Sequence, residues 1–196
     1  GECLGARGIF GKFTLYDEAA AVPMIMAGPD VPEAKVVQTP VSLVDSFPTA
    51  LECVGAEEID EDLPGRSLWQ IAQEEDQERT VFSEYHALGT EHAMYMLRNR
   101  RYKYISHVGE QAQLFDLKED PEEINDLSTD ASHRSMLRDF ETELRELLDP
   151  ESVDAQARAS QQAVVEAAGG AEAVIQRGAF DHSPTPGEKA EFRSQS

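Results

Sequence analysis

Cysteine and lysine are the scarcest chemistry-bearing residues in this chain. Cys3 and Cys53 are its two cysteines, too few for a disulfide framework and too far apart for a metal cluster. Trp69 is the sole tryptophan. Lysine occurs at Lys12, Lys35, Lys103, Lys118 and Lys189 alone, and 17 basic residues face 38 acidic ones, a net charge of −21. That excess excludes nucleic acid and anionic membrane surfaces as partners. An acid-rich, lysine-poor surface fits adaptation to high salt or an ordinary acidic bacterial enzyme. No apolar run approaches the roughly 20 residues that a membrane helix needs, and no leader peptide is legible. A cytoplasmic location is the expectation, with the periplasm left open because the N-terminus reads as truncated. The five histidines, His86, His92, His107, His133 and His182, include no His-x-x-x-His pair with metal-ligand spacing. There are no internal repeats.

What is present begins with a glycine-punctuated loop, Gly5, Gly8 and Gly11, carrying Lys12. A lysine on such a loop delivers a point charge to an anion, or is a surface lysine beside a turn. The acidic pair Asp17-Glu18 follows, and the apolar run Val22–Ala27, closed by Gly28-Pro29, reads as a buried strand covered on both faces. Leu43, Phe47, Leu51 and Val54 recur at helical spacing, with Pro48 fit for a first turn and Gly55 for a C-cap. Asp45 reads as a cap or hydrogen-bonding residue rather than a catalytic carboxylate. The stretch from Glu57 to Gln77 is acidic and loop-like around Leu63–Trp69, where Trp69 has a packing role.

Residues 79–117 are strand-rich. Thr80–Tyr85, Ala93–Arg98, Tyr102–His107 and Gln113–Leu117 are four candidate strands, with a tight link over Asn99–Arg101. Glu84 belongs to a sheet edge. Asp130 caps a helix through Leu148, in which Met136, Phe140, Leu144 and Leu147 form the apolar face. After Pro150 the composition turns to Ala, Gln and Glu. Val153–Ala168 and Ala171–Arg177 read as polar helices broken at Gly169-Gly170, and the chain past Ser183 as extended or disordered.

The spelling of several segments resembles the sulfatase family, in its choline-sulfatase-like and arylsulfatase-like forms. The segments are Gly1-Glu2, Leu4-Gly5-Ala6-Arg7-Gly8, Gly11–Glu18 and Val22–Ile25, then Val44-Asp45 with Phe47-Pro48-Thr49, and Gly65-Arg66-Ser67-Leu68. The ending Leu114–Leu117, Asp120-Pro121, Glu123 and Asn125-Asp126-Leu127 is similar as well, with its last pair split by Asp126. The match covers about residues 1–150 in order; Ala21 stands where the family has Arg.

The resemblance implies an α/β fold. Residues 1–78 would end an alkaline-phosphatase-like α/β/α catalytic domain. Residues 79–150 would be a small C-terminal subdomain with a four-stranded antiparallel sheet and a packed helix. Residues 151–196 would be a helical and extended tail lying across a neighbouring subunit of a homo-oligomer. By the same resemblance Lys12 contacts the sulfate group. His86, at a strand end facing the active-site mouth, lines the substrate pocket, with His92 a weaker candidate. The family uses a formylglycine nucleophile and a divalent metal, Ca2+, whose ligands would lie before Gly1; neither Cys3 nor Cys53 is followed two residues later by proline, as the formylglycine precursor is. The implied activity is hydrolysis of a small sulfate monoester: choline sulfate, an aryl sulfate or a sulfated sugar. A phosphonate or phosphate monoesterase of the same superfamily, and a non-catalytic remnant acting as an oligomerisation or binding module, are the alternatives.

Overall fold

A computed structural model describes residues 1–56, 63–87 and 90–178. The acidic run at 57–62 and the chain from 179, with Phe180, His182 and the expected extended end, lie outside the described residues. One compact unit spans Gly1–Pro150 and a second begins at Glu151.

The first unit is organised on four antiparallel strands in sequential order. Short helices precede them: α1 (Asp17–Ala20), α2 (Ser46–Cys53) and α3 (Leu68–Gln73). The strands are β1 (Val81–Tyr85), β2 (Met94–Arg98), β3 (Tyr102–His107) and β4 (Gln113–Asp116). The link between β2 and β3 is tight because the Asn99 side-chain oxygen accepts from the amides of Arg101 and Tyr102, at 2.9 and 2.7 Å, the local bonding that makes Asn a turn former. Val81 pairs with Arg98, Met96 with Ile105, and Lys103 with Phe115.

That register sorts the side chains onto two faces. Met94, Met96, Ile105 and Phe115 share one face and pack with Leu15, Tyr16 and Ala20 from the segment leading into and through α1. Tyr16 meets Phe115 edge-on at 5.8 Å. Tyr95, Leu97, Tyr104 and Leu114 take the other face, buried with Phe140 and Leu144 of α4 (Arg134–Leu147). Tyr104 stacks on Phe140 at 5.7 Å. Each large apolar side chain so buried contributes about 1.5–3 kcal/mol by leaving water. β2 is buried continuously from Met94 to Leu97 because it is covered on both sides.

The four strands lie within the spans expected from sequence. Asp130 caps as expected, accepting from the Ser132 amide at 2.8 Å. Proline at 150 stands at the first position of α5 (Pro150–Ala167), where its missing N–H costs nothing. α6 (Ala171–Arg177) follows the Gly169-Gly170 break.

Two expectations fail. Val22–Ala27 is not a strand: it has no regular secondary structure and no sheet partner, with Ile25 87% exposed. The apolar run can form a strand only beside neighbours, and no described strand lies next to it. The helix at Ser46–Cys53 does form, and Gly55 (φ +64) closes it in a Schellman turn: the Gly55 amide donates to Glu52 O and the Ala56 amide to Leu51 O, each at 3.0 Å. Its apolar face is nevertheless exposed at Leu43, Phe47 and Val54. Most of the exposed large apolar residues fall before residue 55, from Leu4 to Val54, while the sheet's own face is covered.

Candidate active-site loop

The Lys12 loop closes on itself before it reaches the sheet. The Cys3 amide donates to Gly11 O at 3.0 Å and the Gly5 amide to Ile9 O at 2.9 Å. Gly11 has φ +103, so the backbone calls for glycine; a Cβ there would also stand 2.6 Å from the Phe13 ring, which would have to turn aside. Lys12 follows directly. Its side chain is exposed and makes no ion pair or hydrogen bond among the described residues. The residues on either side of it are fixed, so the loop presents one cation to solvent from a defined backbone. A compact ammonium so placed is suited to an anion.

The fixing comes from Lys103 on the sheet, Glu123 in the chain past β4, and their partners. Lys103 on β3 is fully buried and stands 2.6 Å from the Glu123 carboxylate. It also pairs with Asp17 and donates to Leu15 O at 3.2 Å. Glu123 accepts from the Asp17 amide at 2.7 Å. Arg7 donates to Glu123 O at 3.0 Å, lies 4.0 Å over the Tyr16 ring and pairs with Glu18 at 3.3 Å. Tyr16 reaches Gln113 on β4, and the Gln113 amide donates back to Tyr16 Oη at 2.9 Å. Gly1 packs tightly on this segment: a Cβ there would stand 2.1 Å from Glu18 O.

His86 occupies a different place, just past β1. Its Nε2 is 3.1 Å from Glu84 and its ring meets Tyr95 edge-on at 5.5 Å. Glu84 is on β1, an edge strand, as expected. His92 precedes β2, where its amide is 3.4 Å from the Thr90 hydroxyl. An open groove of about 590 Å³ runs between the segment at Val22 and Met24, the chain at Val41–Val44, and Phe82 and Arg98 of the sheet. Neither Lys12 nor His86 lines it. No cluster of three or more His, Cys, Asp or Glu among the described residues is placed to hold a metal ion. No described helix is long and apolar enough to cross a membrane.

A second charged centre is structural. Asp45 is fully buried and forms a capping box with Ser42, whose amide donates to it at 2.7 Å. The Arg66 amide donates at 2.8 Å, and Arg79 forms a fork with two bonds of 2.7 Å. Burial alone pushes the Asp45 carboxyl up; the Arg79 fork and the two amides outweigh it and hold the carboxyl below its ordinary 3.8. On the α4 side, burial and then the hydrogen bond to Glu141 push the Tyr104 phenol up.

The family described as "N-sulphoglucosamine sulphohydrolase, C-terminal" matches residues 5–149, which take in the Lys12 loop, the Asp45 centre and the whole sheet. The chain belongs to this sulfatase family. Arylsulfatase K of dog is 33% identical over 132 residues, covering 61% of this chain and 24% of the relative, and human arylsulfatase K is 32% identical over 131 residues with the same coverage. A solved 2-O GAG sulfatase superposes with a TM-score of 0.66 at 28% identity, over 75% of this chain and 34% of that one. A solved protein in complex with its substrate, D-glucosamine-2-N,6-O-disulfate, does so with a TM-score of 0.58 at 25% identity, over 80% and 32%. The four-stranded sheet with its packed helices is thus the C-terminal part of an alkaline-phosphatase-like sulfatase fold. This sulfatase chain spans about a quarter of the length of the curated relatives it matches.

The Lys103–Glu123–Asp17 network was not legible as a unit. Glu123 and Asp17 stood in the sequence as parts of the resemblance and Lys103 as one residue of a strand. The available signal was alternation: a lysine in Tyr102–His107 on the same face as Ile105 must be buried, and a buried lysine requires carboxylates.

Proposed function

We propose that this chain is the C-terminal portion of a hydrolase that cleaves sulfate monoesters, with sulfated sugars the favoured substrate class. The observation that carries the reading is the Lys12 loop: an exposed cation on a backbone fixed from both sides, inside the segment matched by the sulfatase family. The sulfated-sugar preference draws on the family description and on the two solved relatives above. In this reading Lys12 meets the sulfate oxygens as charge builds on them, and His86, oriented by Glu84, borders the sugar. The described residues do not themselves fit a Ca2+ site; in this reading the metal and the formylglycine are supplied by another part of the catalytic domain. The exposed apolar residues from Leu4 to Val54 are where that part packs.

The test is sulfate release by the protein carrying the rest of the catalytic domain. We expect N- or O-sulfated glucosamine to be cleaved in preference to an aryl phosphate or phosphonate of equal leaving-group ability; faster cleavage of the phosphorus esters would overturn the reading. Residues 1–196 alone are expected to release no sulfate from an aryl sulfate, with or without Ca2+, since the nucleophile is not among them. A metal-dependent rate from the isolated chain refutes this.

The tail is assigned to a homo-oligomer contact. Val153, Val164, Val165, Val174 and Ile175 punctuate otherwise polar helices, with Val164 and Ile175 67% and 65% exposed. In the protein carrying the rest of the domain, truncation after Pro150 is expected to lower the number of subunits measured by light scattering, or the melting temperature. An unchanged number of subunits and an unchanged melting curve would make the tail an appendage without a partner.

A further inference from the structure

We propose that Lys103, Glu123 and Arg7 are positioning residues, a clasp through which the small sheet sets the Lys12 loop. The inference deepens the reading of Lys12 as the sulfate-contacting cation and rests on it for its link to turnover. The geometry of the clasp stands independently.

Three observations carry it. First, the clasp holds the chain on both sides of Lys12 and at equal remove. Arg7 lies five residues before Lys12 and Asp17 five after, and both end on Glu123: Arg7 at its carbonyl, 3.0 Å, and Asp17 through its amide at the carboxylate, 2.7 Å. Second, the two residues that meet there both hold left-handed backbone without being glycine, Arg7 at φ +53 and Glu123 at φ +50. Such strain persists only where the surroundings over-determine it, and it concentrates at functional sites. Third, the ions are buried where apolar residues would serve stability as well. The Lys103 and Glu123 side chains are 0% and 1% exposed, and a buried ion pair is commonly no more stabilising than a well-packed apolar pair. What the ions add is direction. Glu123 takes one oxygen to Lys103 and the other to the Asp17 amide. Lys103 in turn takes the Asp17 side chain and the Leu15 carbonyl. The network is also balanced: Lys103, Arg98 and Arg7 face Glu123, Asp17 and Glu18.

The test is amide hydrogen exchange on the 196-residue chain, with kinetics in the protein carrying the rest of the domain. Glu123→Gln removes the charge and keeps the shape; Arg7→Lys, at a partly exposed site, keeps the charge and cannot span the same acceptors. Either is expected to raise exchange over residues 11–17 about tenfold or more, as loss of a hydrogen bond to a charged group implies, while β2 and β3 stay protected. The double replacement Lys103→Met with Glu123→Leu is expected to recover the melting temperature and not the slow loop exchange. In the assembled enzyme all three variants should lose kcat with KM for the sulfate ester nearly kept. Loop exchange unchanged in Arg7→Lys, or loop protection restored together with melting in the apolar double variant, would overturn the clasp as a positioning device. If the clasp variants loosen the loop while Lys12→Ala leaves turnover intact, the clasp stands and the role given to Lys12 falls.

Discussion

Lys12→Ala is expected to lower turnover by about 10²-fold or more while leaving the melting temperature in place. The two halves of that result have separate causes. The side chain is exposed and makes no hydrogen bond or ion pair among the described residues, so its removal breaks nothing that holds the fold. Surface changes of this kind stay within about 0.5 kcal/mol. The loop itself is held by Gly11 O and by the Asp17 amide, neither of which involves the Lys12 side chain. What the substitution removes is a fixed cation at the position where a sulfate ester gains charge on the way to its transition state. A group that acts there shows its loss in kcat and in kcat/KM together. Steady-state kinetics on the protein carrying the rest of the domain, paired with a melting curve, separates the halves. Near-wild-type kcat/KM would make Lys12 a surface lysine.

The second large effect falls on stability. Asp45→Ala is expected to destabilise the unit by about 3–5 kcal/mol, the range for leaving one partner of a buried ion pair alone. Arg79, with 16% of its side chain exposed, would keep its charge without the carboxylate. The Arg66 and Ser42 amides would lose their acceptor as well. The pair joins three stretches, the capping box before α2, the chain before α3 and the approach to β1, so their docking should loosen together. Urea unfolding of residues 1–196 and of the variant measures the difference; a loss under about 1 kcal/mol would place Asp45 among weak surface pairs. The same carboxyl gives a pH signature. Its folded pKa lies below the ordinary 3.8, so the unfolded chain takes up its proton first as pH falls. The stability it contributes is complete above about pH 3.8 and drains away as pH falls through the folded value. Asp116, held low chiefly by the Arg101 hydrogen bond, works in the same direction; it is itself buried, but its partner Arg101 is half exposed to water, so the pair adds less. Asp45→Asn should therefore flatten the acid limb below about pH 4 relative to the parent chain.

The sequence by itself determined the pieces whose causes are local. Adjacent aromatic, β-branched and long apolar residues placed β1 to β4, and Asn99 made the link between two of them. Asp130, Pro150 and Gly55 bounded helices through capping chemistry that acts within a turn. Asp45 was legible as a cap or hydrogen-bonding residue from its place in the helical stretch; its Ser42 partner came from the structure. The tertiary structure decided everything that depends on a distant partner. Val22–Ala27 has strand composition, yet a strand exists only as a pair, and no described strand lies beside it. The apolar stripe at Leu43, Phe47 and Val54 was legible; its exposure was not, because burial requires a surface from elsewhere in the chain or outside it. The Arg79 fork joins residues 34 apart, and the Lys103 contact with Asp17 joins residues 86 apart. A buried charge is tolerated only with its counter-charges in place, and which carboxylates those are is settled by how the sheet face and the Lys12 loop come together.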